Sequence, residues 1–183
     1  YYPISSDWSS NNIVSALGSD LQAGTGNSDL SYKLLGAAPD RVLVIQWKNW
    51  RAYGGSQTYN FQIRLHETSN VIEVVYGPFL ENDSDDPQVG LRGASNADFH
   101  NRTTDYETRY WADSLRGLYN SDAMYLEAGI VPPAGLTYSW TPRVPGPNFE
   151  TARKEATPAQ VALGDLVTYT VWITNSGEFT GSS

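Results

Sequence analysis

The sequence predicts an all-β protein: an antiparallel β-sandwich, jelly-roll-like, over residues 1–142, then a linker over residues 143–160 and a lone C-terminal strand within residues 161–183. Three observations carry this expectation. Apolar and polar residues alternate with period two in several separate stretches, the pattern of strands with one face in a core. Aromatic residues are abundant (six Trp, twelve Tyr, five Phe) while charged residues make up only 17%, a mixture that suits strands better than helices. Glycine (16) and proline (10) recur between the alternating stretches, where turns need them.

Taken in order, IVSALGSDLQ (residues 13–22) is the one stretch that reads as a helical turn or two, weakened by Gly18. SYKLL (31–35) alternates as a short strand, and GAAPDR (36–41) reads as the turn after it. RVLVIQWKNW (41–50) carries apolar residues on both parities, which predicts a central strand covered on both faces at its start. In NFQIRLHETSNVIEVVYG (60–77), Phe61, Ile63 and Leu65, then Ile72, Val74 and Tyr76, fall at every second position. If both sets face one core, Phe61 opposes Tyr76 and Ile63 opposes Val74. Residues 67–70 then form the loop, and Arg64 sits across from Glu73 as an opposite-charge pair of about 0.2–1 kcal/mol. The polar face of this hairpin is half-exposed scaffold or a ligand surface.

Beyond it, GPFLENDSDDPQVGLRG (77–93) is an acidic connection punctuated by Gly and Pro, with a short strand in QVGLRG. Residues 94–122 show no firm period, only the scattered anchors Trp111, Leu115 and Leu118. MYLEAG (124–129) and GLTYSW (135–140) read as closing strands around the turn at Pro132 and Pro133. The stretch 141–160 has four prolines, mixed charge and no periodicity, the composition of a linker. In GDLVTYTVWITNSG (164–177), Val167, Tyr169, Val171 and Ile173 alternate with polar neighbours as one strong strand. Residues 161–183 are too few to close a sandwich of about seven strands. Either the rest of a second domain lies outside this chain, or the strand packs on the first domain or is donated to a neighbouring chain. Val167, Tyr169, Val171 and Ile173 are the candidate assembly residues.

The formal net charge of −8 repels polyphosphate, and no run of Lys or Arg offsets it, which argues against nucleic-acid partners and anionic membranes. No apolar run approaches the roughly 18 residues of a spanning helix, so no membrane insertion is expected. With no cysteine, disulfides and thiolate chemistry are excluded. The opening YYPISSDW has neither a basic start nor an apolar core, so a secretory signal has been removed or never existed, and the polar, weakly charged composition favours removal.

Five segments in order, NNIVSALGSDLQ, LLGAAPDRVLVIQWKNW, YNFQIRLHETSNVIEVVYG, QVGLRGASNADFHNRT and PPAGLTYSW, resemble a β-sandwich module of large bacterial secreted and cell-surface proteins, found beside sorting domains and loosely related to nidogen-like domains. ATPAQVALGDLVTYTVWITNSG resembles the opening strands of an immunoglobulin-like conserved repeat of bacterial envelope proteins. Together these resemblances imply an extracellular or cell-surface, modular, non-catalytic protein, a structural module or filament subunit that self-associates or contacts neighbouring domains. A carbohydrate-binding or adhesion module of a larger secreted protein is the alternative. Neither family supplies a catalytic residue.

The residues themselves agree with that absence. His66 and His100 are the only histidines, with no H-x-x-x-H spacing, and there is no G-x-S-x-G elbow. Paired carboxylates for glycoside cleavage stay open among twenty acids, Glu73 alone standing in an apolar strand. The run ENDSDDP offers Asp83, Asp85 and Asp86 as hard oxygen ligands for calcium, or as a solvated acidic turn; no other cofactor is expected. Trp50, Tyr53 and Trp111, near strand ends or in loops, are candidate rings for stacking on a glycan, or cover for the core.

Overall fold

The computed structural model describes residues 2–7, 10–142, 153–157, 162, 166 and 168–173. The chain divides into two compact units, residues 1–141 and 142–183. No α-helix occurs among the described residues, and no helix there is long and apolar enough to cross a membrane.

The strands of the first unit are β1 (Ile13–Gly18), β2 (Leu21–Ala23), β3 (Asp29–Leu35), β4 (Val42–Ala52), β5 (Tyr59–His66), β6 (Ile72–Tyr76), β7 (Gln88–Arg92), β8 (Phe99–Thr103), β9 (Leu115–Arg116) and β10 (Thr137–Trp140). They form two antiparallel sheets. One has the order β1-β7-β8-β9, the other β10-β6-β5-β4-β2, with β3 also paired to β4. Neighbours in sequence are neighbours in the sheet from β3 to β6 and from β7 to β9, so the expected sandwich is observed with each sheet built on a meander, to which β1, β2 and β10 add at the edges, and not on the Greek keys of a jelly roll.

The hairpin register follows the alternation in the sequence: Phe61 opposes Tyr76, Ile63 opposes Val74 and Arg64 opposes Glu73. The expected charge pair takes other partners, however. Arg64 donates through Nε and Nη2 to Gln62 Oε1 at 3.0 and 2.9 Å. Glu73 Oε2 instead takes His66 Nε2 at 3.0 Å. The turns beside the hairpin are tied by Arg41 and Glu67, which form a forked ion pair. The Arg41 guanidinium and its backbone N–H hold the Glu67 carboxyl down at about 2, so it stays ionised through any ordinary acid range.

The inner faces meet in one core. Tyr59, Phe61 and Ile63 of β5, Val74 and Tyr76 of β6, and Tyr138 and Trp140 of β10 pack against Ala16 and Leu17 of β1 and Val89 of β7. Two hydrogen bonds cross between the sheets: Tyr76 donates to Ala16 O at 2.8 Å, and Trp140 Nε1 donates to His100 O at 3.1 Å. Burial raises the Tyr76 hydroxyl pKa well above its ordinary value, so it remains a donor.

Several expectations change here. The stretch 13–22 is two strands, not helical turns: Ile13, Val14, Ser15 and Gly18 pair with β7. β-Branched Ile13 and Val14 favour that pairing. MYLEAG forms no strand. Met124 and Leu126 are fully buried from an irregular segment joined to residue 85 by one bridge. His100, in a stretch that showed no firm period, lies in β8. β4 is central as expected, between β5 and the pair β2 and β3, with Val44 of its outer face buried.

A buried polar frame replaces periodicity between residues 88 and 122. Gln88, fully buried, accepts from Ile4 N at 2.8 Å and donates to Asn120 O at 2.7 Å. Asn101, also fully buried, donates to Tyr119 O and Asp122 O at 3.0 and 2.9 Å. These amides satisfy loop carbonyls that no strand reaches.

In the second unit, β11 (Arg153–Thr157) pairs antiparallel with β12 (Thr168–Trp172). The C-terminal strand is therefore not alone, and its partner comes from the segment expected to be linker. Prolines there mask a five-residue strand, RKEAT, whose alternation is charged rather than apolar. Arg153 lies 4.3 Å from the Trp172 ring centre and Lys154 4.0 Å from that of Tyr169, cation–π contacts across the hairpin.

Candidate functional site

Period-two alternation places Gln46 and Lys48 of β4, Asn60, Gln62 and Arg64 of β5 and Val75 of β6 on the outer face of the larger sheet. There, with Gly77 and Pro78, they line an open groove of about 410 Å³. Its floor is a hydrogen-bonded row. Gln62 Nε2 donates to Gln46 Oε1 at 2.8 Å, and Arg64 closes on Gln62 Oε1. Asn60 Nδ2 donates to Pro78 O at 2.7 Å, and its Oδ1 accepts from Asn49 N at 3.0 Å, which fixes the amide's orientation. The lining holds Lys48 and Arg64 and no carboxylate, in a chain of net charge −8. Such a row offers paired donors and acceptors at strand spacing, chemistry suited to vicinal hydroxyls.

A second depression, about 310 Å³, gathers Ser19, Asp20, Tyr53, Gln57, Glu81, Asp83 and Asp85 from three loops and Tyr59 from the start of β5. Three of its four acids, all but Asp20, are already engaged through their side chains. Glu81 Oε2 accepts the Tyr59 hydroxyl at 2.5 Å and its other oxygen takes the N–H groups of Asn82 and Asp83 at 2.9 and 3.0 Å. Asp85 accepts from Ser19 Oγ and from Asp86 N, and Asp83 Oδ1 accepts from Ser84 N at 2.9 Å. Burial, then the neighbouring Glu81, pushes the Tyr59 hydroxyl pKa up. Of the expected calcium ligands, Asp83 and Asp85 line this depression while Asp86 does not. No three His, Asp or Glu side chains gather as a metal site among the described residues.

The three candidate glycan rings separate. Trp111 is a correction: it is 1% exposed, meets Tyr76 edge-on at 5.2 Å and donates Nε1–H to Tyr125 O at 2.8 Å. It is core, because the loops around it fold inward. Trp50 is half-buried and donates to Asp29 O at 3.1 Å. Tyr53 is 73% exposed at the rim of the acidic depression. Tyr106 and Tyr110 are exposed, and Trp47 stacks on Phe61 at 4.9 Å. The groove residues Gln46, Lys48, Asn60 and Gln62 were not singled out by sequence. The signal for Asn60 and Gln62 was the hairpin's second parity; Gln46 and Lys48 join them through the β4–β5 register.

His66 rests on Glu73. For His100, burial followed by the charges of Arg116 and Arg102 lowers the pKa, which leaves a neutral ring beside Trp140. Of the assembly residues, Tyr169, Val171 and Ile173 are exposed, and Val167 lies outside the described residues.

Among known proteins, the family described as NIDO related matches residues 2–142. No curated protein and no solved structure gives a match. The family match spans most of the chain and coincides with the two-sheet unit, so the chain belongs to the NIDO-related family.

Proposed function

We propose that the chain is a non-catalytic, extracellular structural module of a bacterial surface protein or filament, assembling through β-strand and surface contacts. The observation that carries this reading is apolar side chains standing in the open on β12 and just past its end, Tyr169, Val171 and Ile173 at 59, 56 and 71% exposure. A two-stranded hairpin is marginal in water by itself, and an exposed apolar strand is a template for another chain. Family membership supports an extracellular role. The histidines and the Glu81 carboxylate sit in structural partnerships, which supports the absence of catalysis. Deleting residues 161–183 is expected to abolish assembly, scored by electron microscopy of the native material, while the melting of the first unit stays unchanged. Assembly that survives the deletion would refute the role given to this strand.

The outer groove favours a second reading, a carbohydrate-binding or adhesion module, with sugar hydroxyls on the Gln46–Gln62–Arg64 row. On a glycan array, Gln62→Ala is expected to lower binding roughly tenfold through the loss of one or two hydrogen bonds. An array with no binder removes this reading.

A further inference from the structure

Strand β3 pairs with β4 on one side, and among the described residues nothing pairs with its other edge. Native sheets shield such edges with short strands, charges, prolines or bulges. β3 is seven residues long, without proline and in unbroken register with β4 from Asp29 to Leu35. Its apolar residues are in the open: Leu30 52%, Tyr32 81%, Leu34 52% and Leu35 44% exposed.

The row Leu30, Tyr32, Leu34 has a definite place in the fold. These residues oppose Trp47, Ile45 and Leu43 of β4, which in turn oppose Phe61, Ile63 and Leu65 of β5. The exposed row is thus the core-facing side of the larger sheet, continued past the strands that the smaller sheet covers. Soluble proteins rarely leave such an apolar continuation uncovered.

The opposite face of β3 carries Asp29, Ser31 and Lys33, and its charges say what fits. Asp29 and Lys33 stand two residues either side of Ser31, so the strand is complementary to itself when reversed about that residue. We propose that the free edge of β3 pairs antiparallel with the same edge of a second copy, about a two-fold axis through Ser31, setting Asp29 of each copy against Lys33 of the other.

That register also sets Leu30 of each copy against Tyr32 of the other, an aliphatic–aromatic pair on the core-facing side. A slip by one residue would oppose core-facing and outward side chains. Moving the axis to Tyr32 keeps the faces but removes both ion pairs and brings the two Lys33 side chains onto a diagonal about 7–8 Å apart. The contact is isologous and closes at two copies through this edge. A strand edge buries less than the roughly 1,200 Å² of a standard interface, so the dimer depends on concentration. The inference rests on the assembly reading above for its purpose, but not for its geometry.

The test uses the full chain in sedimentation over a wide concentration range. The wild-type chain is expected to dimerise reversibly. Lys33→Asp is expected to weaken the dimer roughly tenfold by turning two attractions into repulsions, and Asp29→Lys/Lys33→Asp to restore it. Because the chain has no cysteine, Ser31→Cys gives one thiol per copy, on the axis, and is expected to crosslink under mild oxidation. A chain that stays monomeric with Ser31→Cys uncrosslinked overturns the proposal, while filaments seen by microscopy would still uphold the structural reading. Crosslinking of Tyr32→Cys in place of Ser31→Cys overturns the register. Association indifferent to Lys33→Asp but lost with residues 161–183 assigns the contact to β12 and overturns the proposal.

Discussion

Trp111→Ala is expected to destabilise the first unit by about 3–5 kcal/mol, the range for emptying a large aromatic site in a core. The indole is 1% exposed, meets Tyr76 edge-on and gives its N–H to Tyr125 O. The Trp111 carbonyl also accepts the Tyr138 hydroxyl at 2.5 Å, so a collapse of this turn would disturb β10. In a unit of this size the loss amounts to a fall in melting temperature on the order of 10 °C, readable by calorimetry or urea titration. Trp111→Phe, which keeps a ring but strands the Tyr125 carbonyl, is expected to fall between. A Trp111→Ala protein that melts like the wild type yet loses glycan binding would return the residue to the surface role its loop position suggested.

Gly90→Ala is expected to cost at least about 3 kcal/mol, because strain and collision add. Gly90 has φ +145°, and a Cβ there would lie 2.4 Å from Asn101 Cα and 2.5 Å from His100 O. Those atoms are β8 backbone, and β7 is held between β1 and β8, so neither side can yield without opening the ladder. Gly129→Ala separates the two causes. Its φ is +85° with nothing within 4 Å of the added carbon, so only the left-handed strain of roughly 1–2 kcal/mol applies. Equal losses at the two sites, measured by denaturant midpoints, would show that the close approach of β7 to β8 is not what demands glycine.

What the sequence revealed follows from how each part is held. The β5–β6 hairpin was legible to its register because each side chain obeys a single period and the faces differ in polarity. The stretch 13–22 misled because Ile13, Val14, Ala16 and Leu17 satisfy helical spacing as well, and pairing with β7 decides between them. Residues 94–122 were opaque because their order comes from Asn101 and Gln88, single amides reaching loop carbonyls, and no local pattern announces such bonds. Trp111 was misplaced for the same reason: what buries it is distant in sequence. The groove was half visible. The hairpin's polar parity was plain, but that Gln46 and Lys48 join it depended on the β4–β5 register.

That outer row has an evolutionary consequence. Gln46, Gln62 and Arg64 stand back to back with Ile45, Phe61 and Ile63 on the same two strands, yet no core contact passes through their side chains. Mutation can therefore rewrite the exterior of this sheet one residue at a time without taxing the interior. A scaffold so divided can vary its outward face faster than it can change its shape.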